Sequence, residues 1–534
     1  MASRARHTLF SVLVLFVACG LLGMIVNQKV GAQSSSDEST LRDNLRSFTS
    51  VYDLVEQNYA EPLNGDKAGK AIYDGAIPGM LRVLDPHSSF YDPKAYAKMR
   101  EDQHGKYYGV GMLIQPQNNK IVVVSPFEGT PSYKAGIRPG DIIAAVDGKP
   151  TDNMSSEDVA NLLKGPKGTH VQITMVREGS PKPLVFDLIR DEIPHNSIDL
   201  AYMIRPGIGY VHITNFQETT GRELSDSLNK FGDLHGLVLD LRDNPGGLLS
   251  EAVAVCDDFL QKGQVIVSQR GRAFPDQVYK ATHGNGGHDY PIVVLVNHGT
   301  ASAAEIVSGA LQDHDRAIIA GETTFGKGLV QTVYPLSEDT GLALTTYHYY
   351  TPSGRLIQRN YNGVSLYDYY YNHDQPQNPA NREVKLTDSG RTVYGGGGIT
   401  PDDKIATPKA NDFQESLREH YAFFDFARDY MANRTVGKDF QVDDAVMQSF
   451  KKFLSSQQIS YTDQDLNQVM DWIKANIKAE IFTTQFGQAE GLKVRASWDP
   501  MINKAMDYLP QAQALETAAK HADSQHASVR TTPE

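Results

Sequence analysis

The chain has 534 residues, 40% of them hydrophobic and 22% charged, with a formal charge of 51 − 64 = −13. That length exceeds one core and predicts three or four folded units of ordinary soluble composition. The acidic balance, with no clustered basic run, excludes nucleic acid as the main partner and gives no support for an anionic membrane surface beyond the few N-terminal charges.

Arg4, Arg6 and His7 precede an apolar run from Leu9 to Val26. About eighteen apolar residues suffice to span a bilayer or to form the core of a secretion signal. Val30-Gly31-Ala32 offers a small-residue cleavage site before the polar stretch Gln33–Ser39. Residues 1–32 therefore read as a signal peptide or a membrane anchor, and the rest as extracytoplasmic, in a periplasm or cell envelope. Cys19 is a weaker lipoprotein candidate, because Phe16-Val17-Ala18 matches a lipid-attachment motif poorly and the apolar run continues past it.

Residues 37–104 read as an N-terminal helical region. Leu41, Leu45, Phe48, Val51, Tyr52 and Val55 recur at helical spacing, and a second helix over 68–84 stops at Asp85-Pro86. From 105 to 190 the texture changes to short strands at 110–114, 120–124, 142–146, 171–177 and 184–188. Helices at 132–135 and 156–163 and turn signals such as Asp147-Gly148 lie between them. That mixture predicts a small, partly open β-barrel.

From 191 to 408 strands and helices alternate, which predicts an α/β layered sheet with helices on its faces. Ile292-Val293-Val294-Leu295-Val296 is the unbroken apolar run of a strand buried on both sides. Within this unit, residues 361–397 are polar and Tyr-rich and read as a surface insertion. Residues 409–515 read as a charged helical region and 516–534 as a disordered tail. Cys256 sits in an apolar helical pattern and reads as a buried hydrophobe with no disulfide.

Three segments of the α/β unit can carry chemistry. They are Asp240-Leu241-Arg242-Asp243-Asn244-Pro245-Gly246-Gly247, then Asn297 to Glu305 around Ser302, then Thr324-Phe325-Gly326-Lys327-Gly328-Leu329-Val330-Gln331. Ligand sites in such sheets gather beyond the C-terminal ends of strands, where the first two segments lie. A serine hydroxyl needs a base within reach, and a lysine serves if it is neutral. Bringing a lysine from about 10.4 to near 7 takes roughly 4–5 kcal/mol of desolvation or positive neighbours. Gln331 falls on the face of Lys327 by period-two alternation and orients an amine without adding negative charge.

Each residue has a plainer reading. Ser302 with Glu305 is also a capping box, Lys327 a solvated loop lysine, and Asn244-Pro245-Gly246-Gly247 a turn. A triad with His298 or His314 as base stays open, although no Gly-x-Ser-x-Gly elbow is present. No ligand spacing predicts a metal site, and no cofactor is implied.

In order along residues 40–408, these motifs resemble the C-terminal processing (tail-specific) peptidases of the serine–lysine S41 family. Asp85-Pro86-His87-Ser88-Ser89 is similar to that family's N-terminal helical signature. Tyr108-Gly109-Val110-Gly111-Met112 and Ala135–Ile143 resemble a PDZ carboxylate-binding loop and its helix–turn–strand. Thr351–Arg355 and Gly398–Asp402 resemble the closing strands of the peptidase core. The resemblance implies an α/β peptidase core (a layered β-sheet with helices, ClpP/crotonase-like), a PDZ β-barrel, and helical N- and C-terminal regions.

It further implies roles residue by residue. Ser302 would be the nucleophile, Lys327 the general base and Gln331 the residue orienting it, with oxyanion donors at Gly246 and Ala303. Gly109, Val110, Gly111 and Met112 would hold the C-terminal carboxylate of a protein substrate. Arg177 would either couple that pocket to the active site or be a solvated strand-end arginine. The insertion and the C-terminal helices are candidates for homo-oligomer contacts, and the insertion also for an access channel. A catalytically silent PDZ scaffold is the rival reading, which the presence of Ser302, Lys327 and Gln331 opposes. A serine–lysine hydrolase of cell-wall amides is opposed by the missing Ser-x-x-Lys.

Overall fold

The computed structural model describes residues 39–63, 65–372 and 382–529. The signal or anchor expected over residues 1–32 lies outside them, and no helix among the described residues is long and apolar enough to cross a membrane. The chain divides into two compact units, Met1–Val83 and Leu84–Glu534.

In the first unit a helix covers 39–58, followed by Gly65–Lys70, a π-helical turn Ala71–Ala76 and Ile77–Arg82. The helical spacing was legible, but the stripe is not a core: Leu41, Leu45, Phe48, Val51 and Val55 are all exposed.

The second unit opens with the segment expected to be a β-barrel. Met112–Gln117, Lys120–Pro126, Ile142–Val146, His170–Val176 and Leu184–Ile189 form one antiparallel path, and Lys149–Pro150 pairs beside it. Val123, Val146, Val171, Ile173 and Met175 alternate inward onto Val159 of the helix Ser156–Leu163. That helix starts where Asp158 N–H donates to Ser155 Oγ (3.1 Å), a capping-box bond. Lys106–Gly109 and Asp191–Pro194 pair antiparallel where the chain enters and leaves this domain.

The α/β sheet has six strands in the order Ile198–Arg205, Ile208–Ile213, Gly236–Asp240, Ile292–Val296, Ala317–Gly321 and Asp403–Lys404. The first pair is antiparallel and the rest parallel. Ile292, Val294 and Val296 face the helices Thr220–Phe231, Leu249–Asp257 and Ala303–Asp313 through Leu224, Val255 and Val307. Val293 and Leu295 face the opposite way, onto Ile502, Met506, Leu509 and Ala512. A strand apolar on both faces needs both covered, and the chain's last helices, Pro500–Asp507 and Leu509–Val529, cover the second. The disordered tail expected from 516 is therefore corrected: residues 516–529 continue a helix whose earlier turns dock on the sheet, and Glu516 is buried.

A further antiparallel sheet contains Ser89–Tyr91, Gly341–Tyr350, Val265–Arg270 and Gln277–Lys280, with Leu329–Pro335 also paired to Gly341–Tyr350. Of the expected closing strands, Thr351–Arg355 is a turn and Gly398–Asp402 is irregular chain leading into the short strand Asp403–Lys404. Their polar groups pin the helix Ala303–Asp313: buried Arg355 pairs with Asp313, whose carboxylate also accepts Ser353 N–H at 2.9 Å. A separate aromatic core of Phe423, Phe426, Phe450, Leu454, Ile473 and Ile477 holds the helical region after residue 411.

Candidate active site

The strand Ile292–Val296 ends in a turn that delivers Ser302 to the first position before the helix Ala303–Asp313. Ser302 has φ 55° and ψ −115°, a region that a non-glycine residue occupies only when its surroundings enforce it. Several bonds enforce it. Ala301 N–H donates to the Asn244 carbonyl (2.8 Å), the buried Tyr349 hydroxyl donates to the Ser302 carbonyl (3.1 Å), and Ser302 N–H donates to Glu305 Oε2 (2.9 Å).

Glu305 does more than close a helix end. It is 0% exposed, and its carboxylate also accepts Thr324 Oγ1–H, Gly326 N–H (2.7 Å) and Lys327 N–H (2.8 Å). One side chain thus holds the serine turn and the lysine loop together. Sequence reasoning saw Glu305 only as a cap, because its other partners lie about twenty residues downstream.

Ser302, Ala303, Lys327, Gln331 and Gly246 all line one cavity of about 590 Å³. Burial lowers the Lys327 pKa, against the opposing pull of Glu305 and Asp85. The direction is the one a general base needs. Lys327 precedes its strand, which begins at Leu329 and carries an irregularity between Val330 and Gln331, so simple alternation does not relate the two side chains as expected. Gln331 reaches the cavity but gives its Nε2 to Thr345 Oγ1 (3.2 Å).

One expected donor moves. Gly246 N–H is already given to Asn244 Oδ1 (2.8 Å), so it is not available to an oxyanion. Gly246 serves close packing instead: at φ 96°, a Cβ there would fall 2.7 Å from Ser302 Cβ and 2.8 Å from Ala303 N. Gly247, next in the chain, also lines the cavity.

The alternative histidine bases do not reach this cavity. His314 bonds to Asp388 (2.6 Å) and to the Val265 carbonyl (2.7 Å), and His298 lies 3.7 Å from Glu322. The histidine that does line it is His87, of the Asp85-Pro86-His87-Ser88-Ser89 segment, which composition and spacing had not singled out as part of a site. A second cavity, of about 570 Å³, opens among Gln115, Val124, Arg242, Trp472 and Trp498 and holds none of the candidate residues.

In the small β-domain, Val110 and Gly111 join Gly109, the last residue of the strand Lys106–Gly109, to Met112, the first of Met112–Gln117. Gly111 has φ 77°, and a Cβ there would fall 2.5 Å from Thr130. Arg177 is paired, although partly exposed: Nε and Nη2 grip buried Asp141 at 2.6 and 2.7 Å, and Nη2 also reaches the Gly136 carbonyl (2.9 Å).

The model of peptidase family S41 matches residues 207–365, that of a PDZ domain residues 122–177, and that of a probable PDZ-protease C-terminal helical domain residues 413–464. A carboxy-terminal-processing protease of Bartonella bacilliformis is 40% identical over 362 residues, 66% of this chain and 80% of that protein. The carboxy-terminal processing protease CtpA of Bacillus subtilis is 34% identical over 67% of this chain and 76% of its own. Among solved structures, a photosystem II D1 C-terminal processing protease is 30% identical, covering 67% of this chain and 92% of that one with a TM-score of 0.33. On these matches the chain, whose Ser302 and Lys327 line one cavity, belongs to peptidase family S41 and is a serine-type peptidase carrying a PDZ domain.

Proposed function

We propose that this peptidase cuts exported proteins after engaging their C-terminal tails, using Ser302 as nucleophile and Lys327 as its base. Ser302 Oγ attacks the scissile carbonyl while Lys327, neutral beforehand, takes the hydroxyl proton. The same proton passes to the leaving amine as the acyl-enzyme forms, and water then repeats the sequence. Ala303 N–H, at the start of a helix, and Gly247 N–H are the donors offered to the oxyanion. Gln331, its Nε2 given to Thr345, keeps Oε1 to orient the lysine. Gly109, Val110, Gly111 and Met112 hold the substrate's terminal carboxylate while the tail adds a strand.

The observation that carries this reading is the shared cavity of Ser302 and Lys327, with Glu305 bonded to the backbone of both. The names of the Bartonella and Bacillus relatives support the class of substrate. The apolar run Leu9–Val26 behind Arg4 and Arg6 supports an extracytoplasmic location.

The test compares the purified chain with Ser302→Ala and Lys327→Ala on a flexible protein ending in an apolar tripeptide, read by mass spectrometry. Cleavage should vanish in both variants and weaken when the substrate carboxylate is amidated. Cleavage intact in Ser302→Ala would overturn the assignment, and tail binding without cleavage by any form would favour a PDZ scaffold.

A further inference from the structure

Three segments pack together beside the cavity that Lys327 and His87 both line. His87 comes from the loop before Ser89–Tyr91, Phe325 from the lysine's own loop, and Tyr369 and Tyr370 from the helix Leu366–Tyr371 of the insertion. Their rings pack edge to face, with centroids 5.6 Å apart for His87–Tyr369, 5.5 Å for Phe325–Tyr369 and 5.1 Å for Tyr369–Tyr370. The Arg359 guanidinium lies over Phe325 and Tyr369, at 5.3 and 5.5 Å from their centroids. Tyr369 is only 2% exposed, which corrects the picture of 361–397 as a purely surface insertion.

The polar edges of this cluster lead back to the lysine loop. Gln358 Oε1 accepts Gly328 N–H (2.8 Å), Arg359 N–H donates to the Gly326 carbonyl (2.9 Å), and Tyr370 OH donates to the Pro86 carbonyl (2.7 Å). Gln358 Nε2 donates to Tyr369 OH (3.1 Å), and the phenol oxygen, with its proton, lies in hydrogen-bond contact with His87 Nε2 at 2.8 Å. Burial raises the Tyr369 pKa, so that proton stays on. Burial, followed by the charge of Lys327, pushes the His87 pKa down to about 4, so its imidazole is neutral.

We propose that the helix Leu366–Tyr371, packed behind His87, backs a water-excluding wall of the active site, in which Tyr369 and His87 are positioning residues that hold Lys327 in a dry pocket. The proposal rests on the Ser302–Lys327 reading and extends it. The charges facing Lys327 oppose its neutral form: Asp85 comes from the loop before Ser89–Tyr91 and Glu305 from the helix after Ser302. The other titratable groups lining the cavity with it are neutral His87 and the phenols Tyr91 and Tyr349, while Tyr369 stands behind His87 and the cation Arg359 is spread over Phe325 and Tyr369. Exclusion of water is what is left to favour the amine, and the rings supply it.

The experiment measures kcat for tail-bearing substrate against pH in the full chain and in Tyr369→Ala, Tyr369→Phe, His87→Ala and Lys327→Ala. Opening the wall should raise the midpoint of the alkaline rise by about one pH unit or more in both Tyr369→Ala and His87→Ala. Each unit lowers the rate below the midpoint about tenfold, because the neutral-amine fraction falls by that factor. Tyr369→Phe keeps the ring and should keep the wild-type midpoint. Wild-type midpoints in the alanine variants, or a phenylalanine variant shifted as far as Tyr369→Ala, would overturn the proposal. If Tyr369→Ala does not fold, His87→Ala decides alone, since its ring is only partly buried. Cleavage that survives Lys327→Ala would sink the dyad itself; a dead Lys327→Ala with unmoved midpoints would sink only the wall.

Discussion

Glu305 Oε2 accepts the main-chain N–H of both Ser302 (2.9 Å) and Lys327 (2.8 Å), so one oxygen of a fully buried carboxylate joins the serine turn to the lysine loop. The serine turn and the lysine loop come from different strands, and without such a tie each would sample positions on its own. Productive geometry tolerates little of that, since small displacements of reacting groups lower rates steeply.

Removing that carboxylate should therefore strike stability and activity together. Glu305→Ala leaves the N–H groups of Ser302, Gly326 and Lys327 and the Thr324 hydroxyl without their acceptor in a buried space. A loss of about 3 kcal/mol or more and at least a hundredfold drop in cleavage are expected. Glu305→Gln, which keeps one oxygen, should be milder on both counts. Urea unfolding and cleavage rates check this; an alanine variant as stable as wild type would refute it.

The depressed Lys327 pKa has its own signature. Between its folded and ordinary values the unfolded chain carries the extra proton, so this group's contribution to stability rises with pH across that window and is least favourable below it. Lys327→Met should be inactive yet more stable, by about 1.4 kcal/mol for each unit of depression, with the gain greatest at the acid end. Melting temperatures of the two proteins at several pH values would show a converging pair; parallel curves would count against a buried, displaced lysine.

Close packing between Gly246 and the serine turn predicts a sharp response to one methyl group. In Gly246→Ala the added Cβ would fall 2.7 Å from both Ala301 O and Ser302 Cβ, so one turn must give way. Cleavage should fall by about a hundredfold or more, comparable to losing an oxyanion donor. Tail binding by the PDZ domain, followed by fluorescence anisotropy of a labelled peptide, should be unchanged. Near-normal cleavage would show that the turns can separate at no loss.

Arg177 makes a structural prediction rather than a signalling one. Its removal strands Asp141, which is 1% exposed and also accepts Arg138 N–H (2.8 Å). Because Arg177 itself is partly exposed, a destabilisation of about 2 kcal/mol is expected in Arg177→Ala, confined to the PDZ domain. Hydrogen exchange of the full chain should report faster opening of His170–Val176 and its neighbours while the α/β sheet stays protected. Unchanged exchange in that strand would return Arg177 to a purely communicative role.

Local pattern was enough for much of this molecule. The unbroken apolar run Ile292–Val296, the alternating short strands of the β-domain and the cap before Ala303 are properties of neighbouring residues, and each became the element expected. Residue type and flanking glycines also marked the turns that carry Ser302 and Lys327, which the fold brings to one cavity. What escaped was everything decided by partners distant in the chain. Glu305 looked like a helix cap, Gly246 like an oxyanion donor, His87 like part of a helix stop and Tyr369 like a surface residue. Their roles depend on Lys327, Asn244, Lys327's loop and His87 respectively. The helix Leu509–Val529 follows the same rule, because a polar-looking segment is ordered only by the apolar sheet face it meets. Short-range patterning thus determined the elements and the kind of chemistry, whereas burial, donor–acceptor pairing and the dryness around Lys327 are long-range properties that only the assembled fold could decide.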